Sequence, residues 1–144
     1  MSSSTVKVVK VDGVYQVEGR PREEFEVLNV FHPPNLPGKS MIVVRVSLAP
    51  NGATPPHTHG GAAVIAIPVE GTLVNQMNSD EPTVSSPGEF WYEGPGCHHV
   101  RAENVSKTER AKFLAVLVVD DETIKDGFGG VFVLDAEKEE MENK

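Results

Sequence analysis

The chain has 144 residues, of which 39% are hydrophobic, and this length favours one domain with a substantial core. Its net charge of −8 argues against a nucleic-acid partner, and its single cysteine excludes an intramolecular disulfide, as is usual in a reducing compartment. The N-terminal stretch contains no apolar run of signal-peptide length, and no stretch approaches the ~18 apolar residues of a membrane span. We therefore expect a cytoplasmic protein without a membrane partner.

Short runs of β-branched and aromatic residues follow one another along the chain, separated by Gly, Pro and Asn. The first forms a predicted hairpin over 5–18, with Asp12-Gly13 as its turn. Further strands are predicted over 25–31, 41–48, 62–69, 72–77, 88–92, 97–104, 111–119 and 131–134. The apolar run 62–69 predicts a buried strand, and 111–119, the longest such run, predicts a central strand buried on both faces.

The succession of about ten short strands, with turns at roughly 8–12-residue intervals, is typical of an all-β sandwich or barrel. No convincing amphipathic helix interrupts it. The pattern predicts a single domain over 1–144, with a core of about 25–134 and a flexible acidic tail over 135–144.

Four of the five histidines occur in two places in this pattern. His57 and His59 are two residues apart at the start of a strand-like run, and residues i and i+2 of a strand point to the same face. A second pair, His98-His99, follows about forty residues later. Imidazoles that converge in this way are typical of a metal site, although histidines in a turn-rich segment can equally be surface residues.

Two segments around these histidines resemble the two sequence motifs of the cupin superfamily. Residues 51–71 are similar to the first motif and residues 88–104 to the second. The resemblance is carried by His57, His59, Glu70-Gly71, Gly94-Pro95-Gly96, His99 and Asn104. It implies a small double-stranded β-helix (jelly-roll) barrel with His57, His59 and His99 as metal ligands. It also implies a homodimer, for which the 111–119 strand and the N-terminal hairpin are candidates to form an intersubunit sheet.

One departure from the cupin pattern concerns the metal site directly. The first motif usually carries a Glu after its second His, and the corresponding positions here hold Ala63 and Val64. Glu103, four residues after His99 and hence of the same strand parity, is our candidate for the missing carboxylate or for a general base. Glu93, in a predicted turn, is a second candidate. A solvated position at a strand end is the alternative for both.

The resemblance implies a site for one divalent metal ion, because three imidazoles leave open positions for a small-molecule substrate. Cupin-like dioxygenases that cleave diketones or oxidise thiols use a neutral three-His ferrous site, so the resemblance favours an Fe(II) dioxygenase that acts on a small oxygenated metabolite. Zn, Mn or Ni would instead suit a non-redox lyase, decarboxylase or isomerase. A third alternative is a barrel that binds a small molecule without turning it over. In that case Val64 is an ordinary core residue and the metal has been lost.

Four further side chains are candidates for contacting a substrate, each with a structural alternative. Arg45 lies on the wetter face of its strand, where it would hold an anionic substrate or form a surface ion pair. Gln76 lies on a strand where one of two neighbouring positions should face inward, and Trp91 either lines a pocket or packs in the core. His98, which cannot ligate together with its neighbour, is a substrate contact or a packed or surface residue. Cys97 is expected to be a small buried hydrophobe.

Overall fold

The structure is a computed structural model that describes residues 6–143. Its strands are β1 (Val8–Val11), β2 (Val14–Val17), β3 (Glu24–Phe31), β4 (Lys39–Leu48), β5 (Ala53–Thr54), β6 (His57–Thr58), β7 (Ala63–Glu70), β8 (Leu73–Met77), β9 (Thr83–Ser85), β10 (Trp91–Glu93), β11 (His99–Asn104), β12 (Ala111–Asp120) and β13 (Val133–Leu134). Two 3₁₀ helices (Asp121–Ile124 and Gly129–Val131) precede β13, and helix α1 (Asp135–Glu142) follows it. The all-β double-stranded β-helix predicted from the sequence is confirmed.

Two antiparallel sheets enclose the core. The first has the strand order β10-β7-β12-β4-β3, and the second has the order β13-β6-β11-β8-β9, with β5 paired to β11. The buried apolar cluster contains side chains from both sheets, among them Val44, Val64, Leu73 and Leu117. The candidate metal ligands lie on the second sheet, and the first sheet supplies most of the apolar wall that faces them.

Strict alternation along β4 explains why one face of the first sheet is buried. Ile42, Val44, Val46 and Leu48 are buried, whereas the residues between them are only half-buried. Successive side chains of a strand point to opposite faces, so a β-branched strand of this kind covers the core with every second residue.

The expectation of burial on both faces is wrong for 111–119, and the buried strand expected over 62–69 is buried on one face only. In β7, Val64 and Ala66 are buried while Ile65 and Ile67 are about 40% exposed, at 41% and 42%. In β12 every second residue of the strand lies on the outer face, and these residues are likewise only half-buried. The physical reason is that an antiparallel sheet needs cover on one face only, and no helix covers the outer face among the described residues. Both edges of β12 are paired, with β7 and β4, so this strand does not offer an edge for an intersubunit sheet.

The ends of the described chain lie against each other. The hairpin β1–β2 turns through Asp12 and Gly13, both with positive φ (51° and 83°), which suits the tight turns that match strand twist. The acidic tail, expected to be flexible, forms α1, and Tyr15 donates a hydrogen bond to Glu140 of this helix. Residue 5 of the predicted hairpin and residue 144 of the predicted tail lie outside the described residues. No helix of the described chain is long and apolar enough to cross a membrane.

Candidate metal centre

Strand pairing brings the two histidine segments together. His57 of β6 and His99 of β11 are direct partners across the antiparallel pair, and both are almost fully buried. His59 follows two residues after His57 and its ring lies edge-on to that of His57, with centroids 4.8 Å apart. One potential ligand atom from each of the three histidines lies within 4.8 Å of the other two. The structure therefore brings together the three residues expected to bind a metal ion.

Each imidazole has one ring nitrogen occupied by an acceptor oxygen. The Nδ1 atoms of His57 and His59 lie 2.8 and 2.9 Å from the backbone oxygens of Pro55 and Val131, and Nε2 of His99 lies 2.7 Å from Oδ1 of Asn75 in the assigned amide orientation. Because these oxygens only accept, each of these nitrogens carries the proton. The other nitrogen of every ring is left with a free lone pair, as metal ligation requires.

Glu93, at the end of β10, lies against this cluster. Its side chain is 3% exposed, and Oε1 is 3.2 Å from Nε2 of His59 and 3.5 Å from Nδ1 of His99. The other oxygen, Oε2, accepts a hydrogen bond of 3.1 Å from Nε1 of Trp91. The prediction of a turn beginning at Glu93 is therefore wrong, because the strand continues to this residue. The alternation from Trp91 to Glu93 was the signal: a buried Trp two residues earlier places the carboxylate on the inward face.

Several buried polar atoms of the cluster have no hydrogen-bond partner among the described residues. They include Nε2 of His59, Nδ1 of His99 and Oε1 of Glu93. Buried polar atoms are normally paired, and these three all carry lone pairs directed into one small region. A divalent cation satisfies such a set, so these residues fit a metal ion.

Burial and mutual charge set the protonation of the cluster. Burial lowers the pKa of His57 well below its ordinary 6.5, and the neighbouring histidines lower it further; burial also lowers the pKa of His99 to about 4 despite the nearby carboxylate. For Glu93, burial favours the neutral acid, but His59 and the other two imidazoles outweigh it and lower the pKa to about 2. For His59, burial opposes protonation, but Glu93 outweighs it and raises the pKa. His57 and His99 are thus neutral and Glu93 is ionised at neutral pH, as ligands must be, whereas Glu93 favours a proton on His59 that a bound metal ion would displace.

A small cavity opens beside the cluster. Its volume is about 40 Å³, enough for roughly three water molecules. The histidines, Glu93, Asn75 and Thr54 line one side. The rest of the wall contains Glu23 and is otherwise apolar: Phe25, Val44, Val46, Leu48, Val64, Leu73, Ala102, Phe113, Ala115, Leu117 and Phe132. Among the described residues no Lys or Arg lines the cavity.

The C-terminal segment closes one side of the site. Phe132 stacks on His57 with ring centroids 4.5 Å apart, and the carbonyl of Val131 holds His59. Gly60 permits the close approach of this segment, because a Cβ there would lie 2.0 Å from one of its backbone oxygens. The sequence carries no local signal for these roles, since Val131 and Phe132 lie more than seventy residues from the histidines they contact.

The model of the cupin domain family matches residues 44–119, which is more than half of the chain. The chain belongs to the cupin family. The matched segment contains all three histidines and Glu93, so this cupin carries a three-histidine cluster suited to a divalent metal ion inside its family domain.

Known cupin relatives are similar over part of their length. A germin-like protein of Ipomoea nil is 35% identical over 78 residues, covering 49% of this chain and 36% of that protein. Germin-like protein subfamily 1 member 7 of Arabidopsis thaliana is 36% identical over 93 residues, covering 60% of this chain and 40% of that protein. The chain thus spans less than half the length of these curated relatives.

Solved structures share the fold of this cupin. An oxalate oxidase in complex with the substrate analogue glycolate superposes with a TM-score of 0.52 and 25% identity, covering 69% of this chain and 55% of that chain. A Klebsiella pneumoniae protein with a double-stranded β-helix domain gives a TM-score of 0.57 at 18% identity, covering 72% of this chain and 81% of that chain. The second likeness is one of fold alone.

Glu103 lies outside the metal cluster, contrary to the expectation from strand parity. Its carboxylate pairs with Arg20 at 3.1 Å and with Arg101 at 3.0 Å. The pairing of β11 with β8 shifts register between His99 and Arg101, and such a bulge reverses the alternation of side chains after it. Consequently Ala102, not Glu103, lines the cavity of the cupin.

The four predicted substrate contacts also lie outside the cavity lining. Arg45 forms an exposed ion pair with Glu26 at 2.9 Å, and Gln76 donates to a backbone oxygen in the following turn. Trp91 is buried beneath the site, where it contacts Glu93. His98 points away from its neighbour His99, and its Nε2 lies 2.7 Å from Oδ2 of Asp135 at the start of α1.

Two other inward positions matter to the site. Asn75, next to Gln76 on β8, is the residue of that strand that reaches the cluster, through His99. Val64 lines the cavity as an apolar residue. Cys97 is half-buried, and burial raises the pKa of its thiol.

Proposed function

We propose that this cupin is a metal-dependent enzyme that acts on a small oxygenated metabolite, with Fe(II)-dependent dioxygenation as its reaction class. The observation that carries the proposal is the set of three ring nitrogens with free lone pairs beside a cavity. Imidazole ligands suit Fe(II), and a site open to a cavity is typical of catalytic rather than structural metals. A bound divalent ion would supply Lewis acidity and, as Fe(II), reactivity toward oxygen.

The residues of the chain have three tasks in this proposal. Pro55, Val131 and Asn75 fix the tautomers of the histidines, so that the lone pairs are presented without rearrangement. Phe132 covers the ring of His57 and restricts solvent access. The apolar walls keep the reacting atoms of the substrate out of water, which strengthens every electrostatic interaction in the cavity.

The cavity favours a particular class of substrate. Because no Lys or Arg of the described chain lines it, a phosphate or a dianion would have no cationic side chain to neutralise it. The size and the apolar walls suit a compact molecule with at most one negative charge, such as a small diketone in its enolate form. The glycolate that occupies the oxalate oxidase structure is also a small monoanion, so it belongs in the same test.

A non-redox reaction is the second candidate, and Glu93 is the observation that favours it. A carboxylate beside the histidines is available to accept a proton from a bound substrate, as lyase and isomerase reactions require. The preference for iron no longer has the support of a site without a carboxylate, and iron is kept here because imidazole and carboxylate ligands together also suit Fe(II). Zn or Mn therefore stays an alternative to Fe.

The proposal is tested first by metal content. The protein purified without added metal or chelator is analysed by inductively coupled plasma mass spectrometry, beside His99→Ala and the matched control His98→Ala. We expect close to one transition-metal ion per chain in the wild type and in His98→Ala, and its loss in His99→Ala. If none of the three proteins binds metal even after reconstitution, the enzyme proposal fails and a binding barrel remains.

Oxygen uptake then separates the two reaction classes. The metal-loaded protein is given pentane-2,4-dione or glycolate in an oxygen-electrode cell, with the same mixtures analysed for products under anaerobic conditions. Incorporation of both atoms of ¹⁸O₂ into the products supports dioxygenation, whereas oxygen uptake that releases hydrogen peroxide indicates an oxidase and counts against it. Turnover that continues unchanged without oxygen would replace it by the non-redox alternative.

A further inference from the structure

We infer that Glu93 is the fourth protein ligand of the metal ion, so that the site consists of three imidazoles and one carboxylate. This inference rests on the proposed metal site and adds a residue that the cupin sequence pattern does not provide at its usual position. Three observations support it: the distances from Oε1 of Glu93 to two histidines, the unpaired nitrogens of those histidines, and the pairing of β10 with β7.

The distances from Glu93 to the histidines are those of ligands that share one ion. With metal–ligand bonds of ~2.1 Å, two neighbouring ligand atoms are about 3.0 Å apart in an octahedral site and about 3.4 Å apart in a tetrahedral one. Oε1 of Glu93 is 3.2 Å from Nε2 of His59 and 3.5 Å from Nδ1 of His99. Oε1 of Glu93 is therefore close enough to one nitrogen of His59 and one of His99 for all three atoms to bind the same ion.

The three atoms involved have no proton to share in the tautomers that the structure assigns. Nδ1 of His59 and Nε2 of His99 are the protonated nitrogens, because each faces an oxygen acceptor. Nε2 of His59, Nδ1 of His99 and Oε1 of Glu93 are then three acceptors facing one another, buried and without hydrogen-bond partners among the described residues. Such an arrangement requires a cation between the acceptors. It is either a proton on Nε2 of His59, which Glu93 favours, or a metal ion that displaces this proton and also reaches Nδ1 of His99.

The second carboxylate oxygen is held by the protein. Trp91 donates from Nε1 to Oε2 at 3.1 Å, and its ring is packed edge-on against Phe113 with centroids 4.9 Å apart. A rigid indole thus fixes one oxygen of Glu93 and leaves the other directed at the histidines. This is how buried carboxylate ligands are oriented by an outer partner.

The position of Glu93 in the sheet explains where the carboxylate comes from. Residue Glu93 of β10 is the direct partner of Val64 of β7, and residues opposite each other project from the same face with Cβ atoms roughly 5 Å apart. Val64 is one of the two positions where the cupin pattern would place a Glu, and unlike the other, Ala63, it lines the cavity. The carboxylate therefore enters the same region of the cavity from the neighbouring strand.

The test compares Glu93→Gln with the wild type and with Glu103→Gln, a carboxylate removed outside the cavity. Zn²⁺ and Co²⁺ dissociation constants are measured by competition with a chromophoric chelator, and the Co²⁺ absorption spectrum is recorded. Loss of an outer-shell partner typically weakens metal binding 10- to 100-fold, so loss of a ligand should weaken it by about 100-fold or more. We also expect a changed Co²⁺ spectrum in Glu93→Gln and no change in either quantity in Glu103→Gln.

The outcomes separate this inference from the proposed function. If the wild type binds one ion and Glu93→Gln retains its affinity within about threefold with the same Co²⁺ spectrum, Glu93 is not a ligand, while the three-histidine site stands. If the wild type binds no ion, both the proposed function and the inference about Glu93 fail.

A second measurement does not depend on a folded variant. Wild-type protein labelled with ¹³C-glutamate is compared by infrared difference spectroscopy with and without Zn²⁺. A label-sensitive shift of a carboxylate band is expected on Zn²⁺ addition. Its absence at full Zn²⁺ occupancy would overturn the inference even if Glu93→Gln failed to fold.

Discussion

The hydrogen bond from His99 to Asn75 gives the sharpest test of how the protein prepares its metal ligands. Asn75→Leu removes the acceptor that lies 2.7 Å from Nε2 of His99, at a position that is 2% exposed, so water cannot easily replace it. The proton of His99 then moves to Nδ1, because Oε1 of Glu93 lies 3.5 Å from this nitrogen and can accept a hydrogen bond from it. The variant therefore blocks the nitrogen that the metal needs.

The magnitude follows from the cost of restoring the ligand form. Metal binding to the variant must return the proton to Nε2, which is then a buried donor without an acceptor, at a cost of about 1–3 kcal/mol. That cost corresponds to roughly 5- to 150-fold weaker binding. Apo stability should change by less than about 1 kcal/mol, because Nδ2 of Asn75 has no partner among the described residues and its removal relieves a buried unpaired donor.

Two measurements separate affinity from stability. Zn²⁺ affinity is obtained by chelator competition, and the free energy of unfolding is obtained from urea titrations with EDTA present. Gln76→Leu is the matched control, since this neighbouring amide bonds outside the cavity and should leave both quantities nearly unchanged. Zn²⁺ binding by Asn75→Leu within twofold of the wild type would refute the idea that Asn75 sets the tautomer of His99.

Three further predictions concern Phe132, the half-buried carboxylate of Glu103 and the outer face of the first sheet. Phe132→Ala should lower the free energy of unfolding by about 2 kcal/mol and speed metal release to EDTA, because it uncovers the ring of His57; an unchanged release rate in stopped-flow measurements would contradict this role. Burial alone would raise the pKa of Glu103, but its two arginine partners outweigh burial and lower the pKa below the ordinary 4.5. A lowered carboxyl pKa stabilises the fold above the unfolded pKa, and this contribution is lost as the pH falls through the folded pKa. Glu103→Gln should therefore be less stable at pH 7, by under about 1 kcal/mol. In urea titrations between pH 3 and 7 this difference should begin to shrink near pH 4.5 and decrease further as the pH falls through the lower folded pKa; a difference independent of pH would count against the ion pairs. We also propose a homodimer through the apolar outer face around Ile65 and Ile67: light scattering should give twice 15.6 kDa for the wild type and 15.6 kDa for Ile67→Arg, and a monomeric wild type would rule this interface out.

Features with a local periodic signal could be predicted from the sequence. The i, i+2 spacing of His57 and His59, the alternation of β4 and the Asp12-Gly13 turn each depend on a few neighbouring residues. Alternation also predicted that only one of His98 and His99 would reach the site. The cupin resemblance selected His99, and His98 indeed points away from it. Such rules hold wherever the backbone stays regular.

The errors arose where the backbone is irregular or the contact is distant. Glu103 was placed on the same face as His99 on the assumption that the strand is regular. The bulge after His99 reverses the alternation of side chains, so Glu103 faces away from the site. The residue types between His99 and Arg101 do not predict a one-residue bulge. The roles of Val131 and Phe132 depend on how the C-terminal segment folds back across the sheet, which periodicity does not describe.

The carboxylate illustrates a more general limit of motif-based prediction. A sequence motif specifies a ligand by its spacing along one strand, whereas a metal ion requires only that a donor atom arrive at a point in space. In an antiparallel pair the same point can be reached from either partner, and here β7 contributes Val64 while β10 contributes Glu93 directly opposite. The substitution of one strand for the other keeps the charge of the donor set, so the apolar residue at position 64 is no argument for a neutral site. The choice between iron and another divalent metal must accordingly be argued from the whole donor set, in which a hard carboxylate accompanies three imidazoles.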